Sequence, residues 1–225
     1  MVVFVSVDLI EEIIMIENRT QTEIYSTGKS KEMGMILNEK AYSILSDGLY
    51  SNKQRAAARE YITNAYDSHV MAGKKDTPFR VHCPTELEPF FEVQDFGTGL
   101  DADEMETIYS TYFLSNKETS NESMGCKGLG SKSGLAVSDS FTVTSIKDGN
   151  KVTFSFHKGR DGKPCSKKVF DNKTDEGNGV TVRIPVKPQD CSRWKKEIAE
   201  LICPFDYVDC NIEKDSFYKG RLETL

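Results

Sequence analysis

Glu60-Tyr61-Ile62-Thr63-Asn64-Ala65-Tyr66-Asp67 lies inside a run, residues 52–72, that contains neither proline nor glycine. Such a run reads as one long helix. At 3.6 residues per turn, Asn64 falls about 40° and Asp67 about 20° from Glu60 around the axis. Three acceptor side chains therefore line one stripe. The opposite stripe carries Ala58, Ile62, Ala65, Tyr66 and His69, which suits packing on a sheet. Taken alone, the octet fits a solvated surface helix equally well, so the flanking sequence has to decide.

Downstream of this helix, Gly73 to Pro78 reads as a turn. Residues 79–83 and 90–94 are rich in β-branched and aromatic side chains and read as strands. Asp95-Phe96-Gly97-Thr98-Gly99 closes the second of them. Asp101 can cap a helix running to about residue 113, with Glu104 completing a capping box. A polar stretch, 114–124, leads into Gly125-Cys126-Lys127-Gly128-Leu129-Gly130 and a short helix over 131–137. Strands follow at 140–146 and 151–157, joined by a turn at Asp148-Gly149-Asn150. Another lies at 180–186, with a further short one at 167–170. A final helix, 192–203, puts Trp194, Ile198, Leu201 and Ile202 on one side and is stopped by Pro204.

This order is not an alternation of strand and helix. It predicts an α/β (α+β) two-layer sandwich, with a mixed, mostly antiparallel sheet and helices on one face. The expected domains are an N-terminal extension over 1–30, available for dimer contacts; the main domain over 31–204; and a tail, or the start of a further domain, over 205–225. Gly28-Lys29-Ser30 superficially suggests a phosphate-binding P-loop, but that motif needs glycine at position 23, where Glu23 stands.

Composition narrows the classes. With 38% apolar and 28% charged residues, the chain reads as a globular domain able to bury a sizeable core. The net charge of −6 argues against a nucleic-acid-coating role. Six cysteines occur without a C-x-x-C pair, so a zinc site is unsupported and reduced thiols are expected. The apolar N-terminus lacks a basic flank and is interrupted by Asp8, Glu11 and Glu12, unlike a signal peptide or a membrane span.

Two further stretches carry chemistry. Asp95, at a strand end, can accept a hydrogen bond from an exocyclic amine such as that of adenine. Gly97 and Gly99 would let backbone approach a flat ring. Gly125, Gly128 and Gly130 can present backbone N–H groups to an anion, with Lys127 and Lys132 adding charge. The G-x-x-G-x-G spacing is not the dinucleotide fingerprint, and no βαβ unit surrounds it. Asp95-Phe96-Gly97 lacks the accompanying motifs of protein kinases.

An E-x-x-x-N-A-x-D helix, then D-x-G-x-G after a strand, then G-x-x-G-x-G, in this order, resembles the GHKL ATPases. That superfamily includes gyrase B subunits, MutL, a class of heat-shock chaperones and histidine kinases. SILSDGLYSNKQRAAAREYITNAYDSH, VQDFGTG, YFLSNKE, GLGSKS and NGVTVRIPV are similar to the N-terminal region of the phage rIIA (rapid-lysis) proteins, over roughly residues 27–205. Those proteins are longer, so the chain is read as such an N-terminal domain or as a short relative.

The resemblance implies a Bergerat-type fold that binds ATP and Mg2+, a slow ATPase, and lid closure or dimerisation governed by nucleotide. It implies Glu60 as general base, Asn64 as magnesium ligand and Asp67 as support on the nucleotide side. Asp95 would bind the adenine amine, beside Gly97 and Gly99. Gly125, Gly128 and Gly130 would cradle the phosphates, with Lys132 as a further phosphate contact and Lys117 as a lid lysine. Where the family carries a threonine bonded to the adenine-binding aspartate, this chain has Asn178; Thr181 would point to the other face of the strand. Gyrase, MutL and the chaperones take a catalytic cation from a following domain, which residues after Pro204 are too few to supply. The alternative is a non-hydrolysing, nucleotide-sensing module acting on a host or phage protein. The implied location is the host cytoplasm, peripheral to the membrane. No upstream phosphoacceptor histidine is present, and His69 is read as a core or surface residue.

Overall fold

Helix α1 (Lys53–Met71) forms where the proline- and glycine-free run predicts it. The computed structural model describes residues 51–110, 130–160 and 162–214. The readings made for residues 1–50, for the polar stretch with Lys117, and for Gly125, Gly128 and 215–225 lie outside the described residues. Asn52 caps α1, its Oδ1 accepting from Arg55 N at 3.1 Å.

The chain continues as β1 (Phe79–His82), β2 (Phe90–Gln94) and α2 (Ala102–Ser110). A 3₁₀ turn (Gly130–Lys132) and α3 (Gly134–Val137) precede β3 (Ser140–Lys147), β4 (Asn150–Lys158), β5 (Pro164–Lys173) and β6 (Gly179–Pro185). After a second 3₁₀ turn (Pro188–Asp190) come α4 (Cys191–Leu201) and β7 (Val208–Cys210). The sheet order is β5-β4-β3-β6-β2-β1-β7. Every pair is antiparallel except β1 with β7. The fold is the expected α+β two-layer sandwich.

Register explains why one face is covered. One row across the sheet reads Val81, Val93, Val182, Val143, Phe154, all buried. The adjacent row reads Arg80, Gln94, Thr181, Thr144, Thr153. Side chains alternate between faces along a strand, so the first row faces the helices and the second forms a polar outer surface. α1 packs on β1, β2 and β6, and α3 on β3 and β4. Trp194 of α4 stacks on Phe91 with ring centroids 4.8 Å apart. α1 and α4 are clamped by Arg55, whose Nη1 lies 2.9 Å from Glu197 Oε2 and 2.5 Å from Glu200 Oε2.

The hairpin between β3 and β4 uses the two residues Asp148 and Gly149, both at positive φ (50° and 73°), as an Asp-Gly pair favours. At the far edge, β5 is ten residues long and mostly exposed, with a register irregularity opposite Thr153 and Phe154. At the other edge, β7 shows that the sheet continues past Pro204. Asn211 fixes it by accepting from Cys83 N at 2.7 Å and donating to Cys83 O at 3.0 Å. Cys83, Cys191 and Cys203 are buried free thiols. Among the described residues no helix is long and apolar enough to cross a membrane.

Candidate functional site

The acceptor stripe of α1 is laid against the end of β2. Glu60 and Asn64 meet one turn apart: Asn64 Nδ2 donates to Glu60 Oε1 at 3.2 Å. Asp67 is only 2% exposed. One residue on, Ser68 Oγ donates to Asp95 Oδ1 at 3.0 Å.

Asp95 is 7% exposed. Its backbone N–H continues the sheet by donating to Val180 O at 2.9 Å. Oδ1 also accepts from Gly97 N at 2.9 Å, so both side-chain hydrogen bonds made by the protein fall on one oxygen. Among the described residues none goes to Oδ2. Burial pushes the Asp95 pKa up, and the hydrogen bonds from Gly97 and Ser68 act against that rise.

His69 supports the same turn from beneath. Its Nε2 lies 2.8 Å from Phe96 N, and its Nδ1 lies 2.9 Å from Thr77 O. An Nδ1–H tautomer satisfies both: it donates to Thr77 and accepts from Phe96. The ring is fully buried edge-on against Phe79, which makes His69 a core residue. Lys74 Nζ donates to Phe96 O at 2.8 Å.

Glycine is required at 97 and 99 for reasons internal to the chain. A Cβ on Gly97 would stand 2.1 Å from Ser68 Oγ and 2.5 Å from Ser68 O. Gly99 has φ +69°, and a Cβ there would stand 2.0 Å from Ile146 O. Beyond them, buried Ser145 Oγ both accepts from Leu100 N and donates to Leu100 O, each at 2.7 Å. The capping box forms as predicted: Glu104 N donates to Asp101 Oδ1 at 2.9 Å, and Asp101 N to Glu104 Oε2 at 2.8 Å.

Asn178 does not reach Asp95. Its Oδ1 accepts from Asp148 N at 2.9 Å, so it braces the β3–β4 hairpin instead. The expectation that Asn178 replaces a threonine beside Asp95 is corrected, and Ser68 supplies that bond from the helix. Thr181 shares the outer row with Gln94 and Thr144, as its strand position predicts.

At the other end of the stripe, Tyr61 Oη donates to Ser131 O at 2.9 Å and accepts from Gly134 N at 3.0 Å. This holds the segment after Gly130 on α1. Lys132 is 5% exposed and donates to Ile108 O in the last turn of α2. Burial lowers its pKa to about 8, with the Glu60 carboxylate acting in the opposite direction.

The structure therefore places Glu60, Asn64 and Asp67 on α1 and ties Asp95 and Gly97 to that helix around Ser68, with Lys132 bonded to α2, Gly99 on the following loop and Asn178 at the hairpin. Sequence reasoning missed Ser68, Tyr61 and Ser145. Ser68 had one signal, its place beside Asp67 on the helix; nothing in the sequence singles out the other two. Among the described residues no group of three or more His, Cys, Asp or Glu side chains is arranged to hold a metal ion. No protein-family model matches the chain, and no curated protein matches it.

Proposed function

We propose that the chain is an ATP- and magnesium-binding module of the GHKL type, similar to the N-terminal region of phage rIIA proteins, and that it hydrolyses ATP slowly. The observation that carries this reading is Asp95. A buried carboxylate at a strand end has one oxygen held by Ser68 and Gly97, and its second oxygen takes no hydrogen bond from the described residues. A purine exocyclic amine is a donor of the right kind.

The residues present fit the rest of the substrate. Asn64 donates from its amide to Glu60, and an amide carbonyl oxygen is a ligand type suited to a hard cation. Magnesium, when bound, neutralises phosphate charge. Glu60 is the carboxylate placed to take a proton from an attacking water, and Asn64 orients it. Ser68 and Gly97 fix the Asp95 carboxylate before any ligand arrives, which is preorganisation.

Titration calorimetry with ATP and magnesium tests the reading. The wild type binds, and Asp95→Ala weakens binding at least about tenfold, the loss of one well-placed buried hydrogen bond. No binding by a folded wild type overturns it. Glu60→Gln keeps binding and abolishes phosphate release. If the wild type binds ATP but releases no phosphate at any protein concentration, hydrolysis is withdrawn and the nucleotide-sensing module stands.

A further inference from the structure

The turn after α1 and the segment after α4 enclose a cavity of about 270 Å³, lined by Tyr66, Lys75, Asp76 and residues 204–207. Tyr66 lies two residues from Ser68, or about 160° around the helix axis. The cavity therefore belongs to the flank of α1 away from the Asp95 carboxylate.

The walls are fixed by the local sequence. Gly73, at φ +68°, ends α1 in a Schellman motif, with Lys74 N donating to His69 O at 2.8 Å and Gly73 N to Val70 O at 3.0 Å. Thr77 N then donates to Lys74 O at 2.9 Å, which holds Lys75 and Asp76 in a tight turn. Opposite them, Phe205 N donates to Ile202 O at 3.2 Å, and Lys214 donates to Phe205 O. The buried Phe205 ring meets Tyr66 and Phe79 at centroid separations of 5.3 and 5.7 Å.

Three aromatic side chains, Tyr66, Phe205 and Tyr207, thus line one small cavity. Aromatic faces are negative and attract cations. Asp76 and Asp206 line the same cavity against the single ammonium of Lys75, a formal charge of −2 + 1 = −1. Among the described residues, the side chains of these three make no ion pair or hydrogen bond. The volume lies below the roughly 300–1,000 Å³ of pockets for drug-sized ligands, so it suits one side-chain-sized group.

We propose that this cavity binds a guanidinium group, that of free arginine or of an arginine side chain in a polypeptide. Guanidinium is planar and weakly hydrated, stacks on aromatic faces, and presents a fork that matches a carboxylate. Tyr66, Phe205 and Tyr207 supply the faces, and Asp76 and Asp206 the acceptors. Lys75 opposes the bound cation and suits the α-carboxylate of a free amino acid. The proposal does not rest on the ATP reading.

The test is an NMR titration of the full chain, without nucleotide. The ligands are N-acetyl-arginine methylamide, free arginine and N-acetyl-citrulline methylamide, which keeps the shape of the first but lacks its charge. Both guanidinium ligands should give saturable shifts of the Asp76, Asp206 and Tyr207 amide signals. The citrulline ligand should bind at least about tenfold more weakly, as expected where a cation faces both rings and carboxylates. Tighter binding of free arginine than of its capped form assigns the site to the amino acid; the reverse assigns it to a polypeptide. Tyr207→Leu and Asp206→Asn, both at exposed positions, should each weaken capped-arginine binding severalfold, whereas Lys75→Gln should not weaken it. Absence of saturable shifts, shifts centred elsewhere, or equal binding of the citrulline ligand overturns the proposal. Should a variant not fold, the arginine–citrulline comparison on the wild type decides.

Discussion

Ser68 Oγ donates to Asp95 Oδ1 across 3.0 Å, joining two residues that are 27 positions apart in the chain. That bond ties α1 to the end of β2, and among the described residues no hydrogen bond goes to the other carboxylate oxygen of Asp95. The neighbouring contacts, Phe96 N to His69 and Lys74 to Phe96 O, make the turn 95–97 a rigid part of the helix–sheet junction.

Gly97→Ala tests how tight this junction is. The new methyl would stand 2.1 Å from Ser68 Oγ and close to Ser68 backbone, so α1 and the turn must separate. The expected loss is about 1–3 kcal/mol, the range for overpacking, measured by urea denaturation. Gly177→Ala, where nothing lies within 4 Å of the added carbon, should change stability by less than about 0.5 kcal/mol.

Asp95→Asn separates stability from function. The folded pKa of Asp95 is raised above its ordinary value because of burial. The stability linked to its protonated form is therefore full below the unfolded pKa and is lost as pH rises through the folded pKa. At neutral pH the folded state carries a disfavoured charge. An amide keeps an oxygen for Ser68 and Gly97 and has no charge. Asp95→Asn should raise the melting temperature at pH 7, with the gain vanishing in acid below the ordinary aspartate range, while ATP binding weakens. A melting temperature lowered at pH 7 contradicts this.

Arg55→Ala addresses the packing of α1 on α4. Glu197 keeps only Asn52, which donates to its Oε1 at 2.8 Å, and Glu200 loses its Arg55 contact. Burial acts to raise the Glu197 pKa, but the bonds from Arg55 and Asn52 outweigh it and hold the carboxyl below its usual value. Arg55 is about one-third exposed, so solvent screening moderates the loss to about 1–2 kcal/mol. Because the folded pKa of Glu197 is depressed, the stability it contributes is present above the unfolded pKa and is lost as pH falls through the folded pKa. The difference between wild type and variant in thermal melts should therefore shrink in acid.

The parts of the fold legible in the sequence are those whose signals are local. The run 52–72 lacks breakers, Asp101 and Glu104 sit at capping distance, and Asp148-Gly149 carries the turn chemistry of a two-residue hairpin. β5 is longer than the short strand expected over 167–170 because its residues are mostly exposed and polar, so no alternation marks them. β7 is held by a parallel pairing with β1 and by Asn211 on Cys83, contacts set by tertiary closure. In the site, Glu60, Asn64 and Asp67 share a stripe by helical spacing alone. The Ser68 bond to Asp95 depends on how β2 docks, and the Asn178 bond to Asp148 depends on how the hairpin folds back. The glycine pattern suggests room for a ligand at Gly97 and Gly99, whereas their close approaches are to Ser68 and Ile146.

The central claim is that Asp95 reads an exocyclic amine, and the most direct measurement compares two ligands on the unaltered protein. Inosine triphosphate keeps the ribose and phosphates of ATP but has a carbonyl oxygen where adenine has its amine. Calorimetry with magnesium should give an ATP affinity at least about tenfold higher, since the carbonyl would face the Asp95 carboxylate and leave it unpaired. Equal affinities for the two triphosphates would contradict the account.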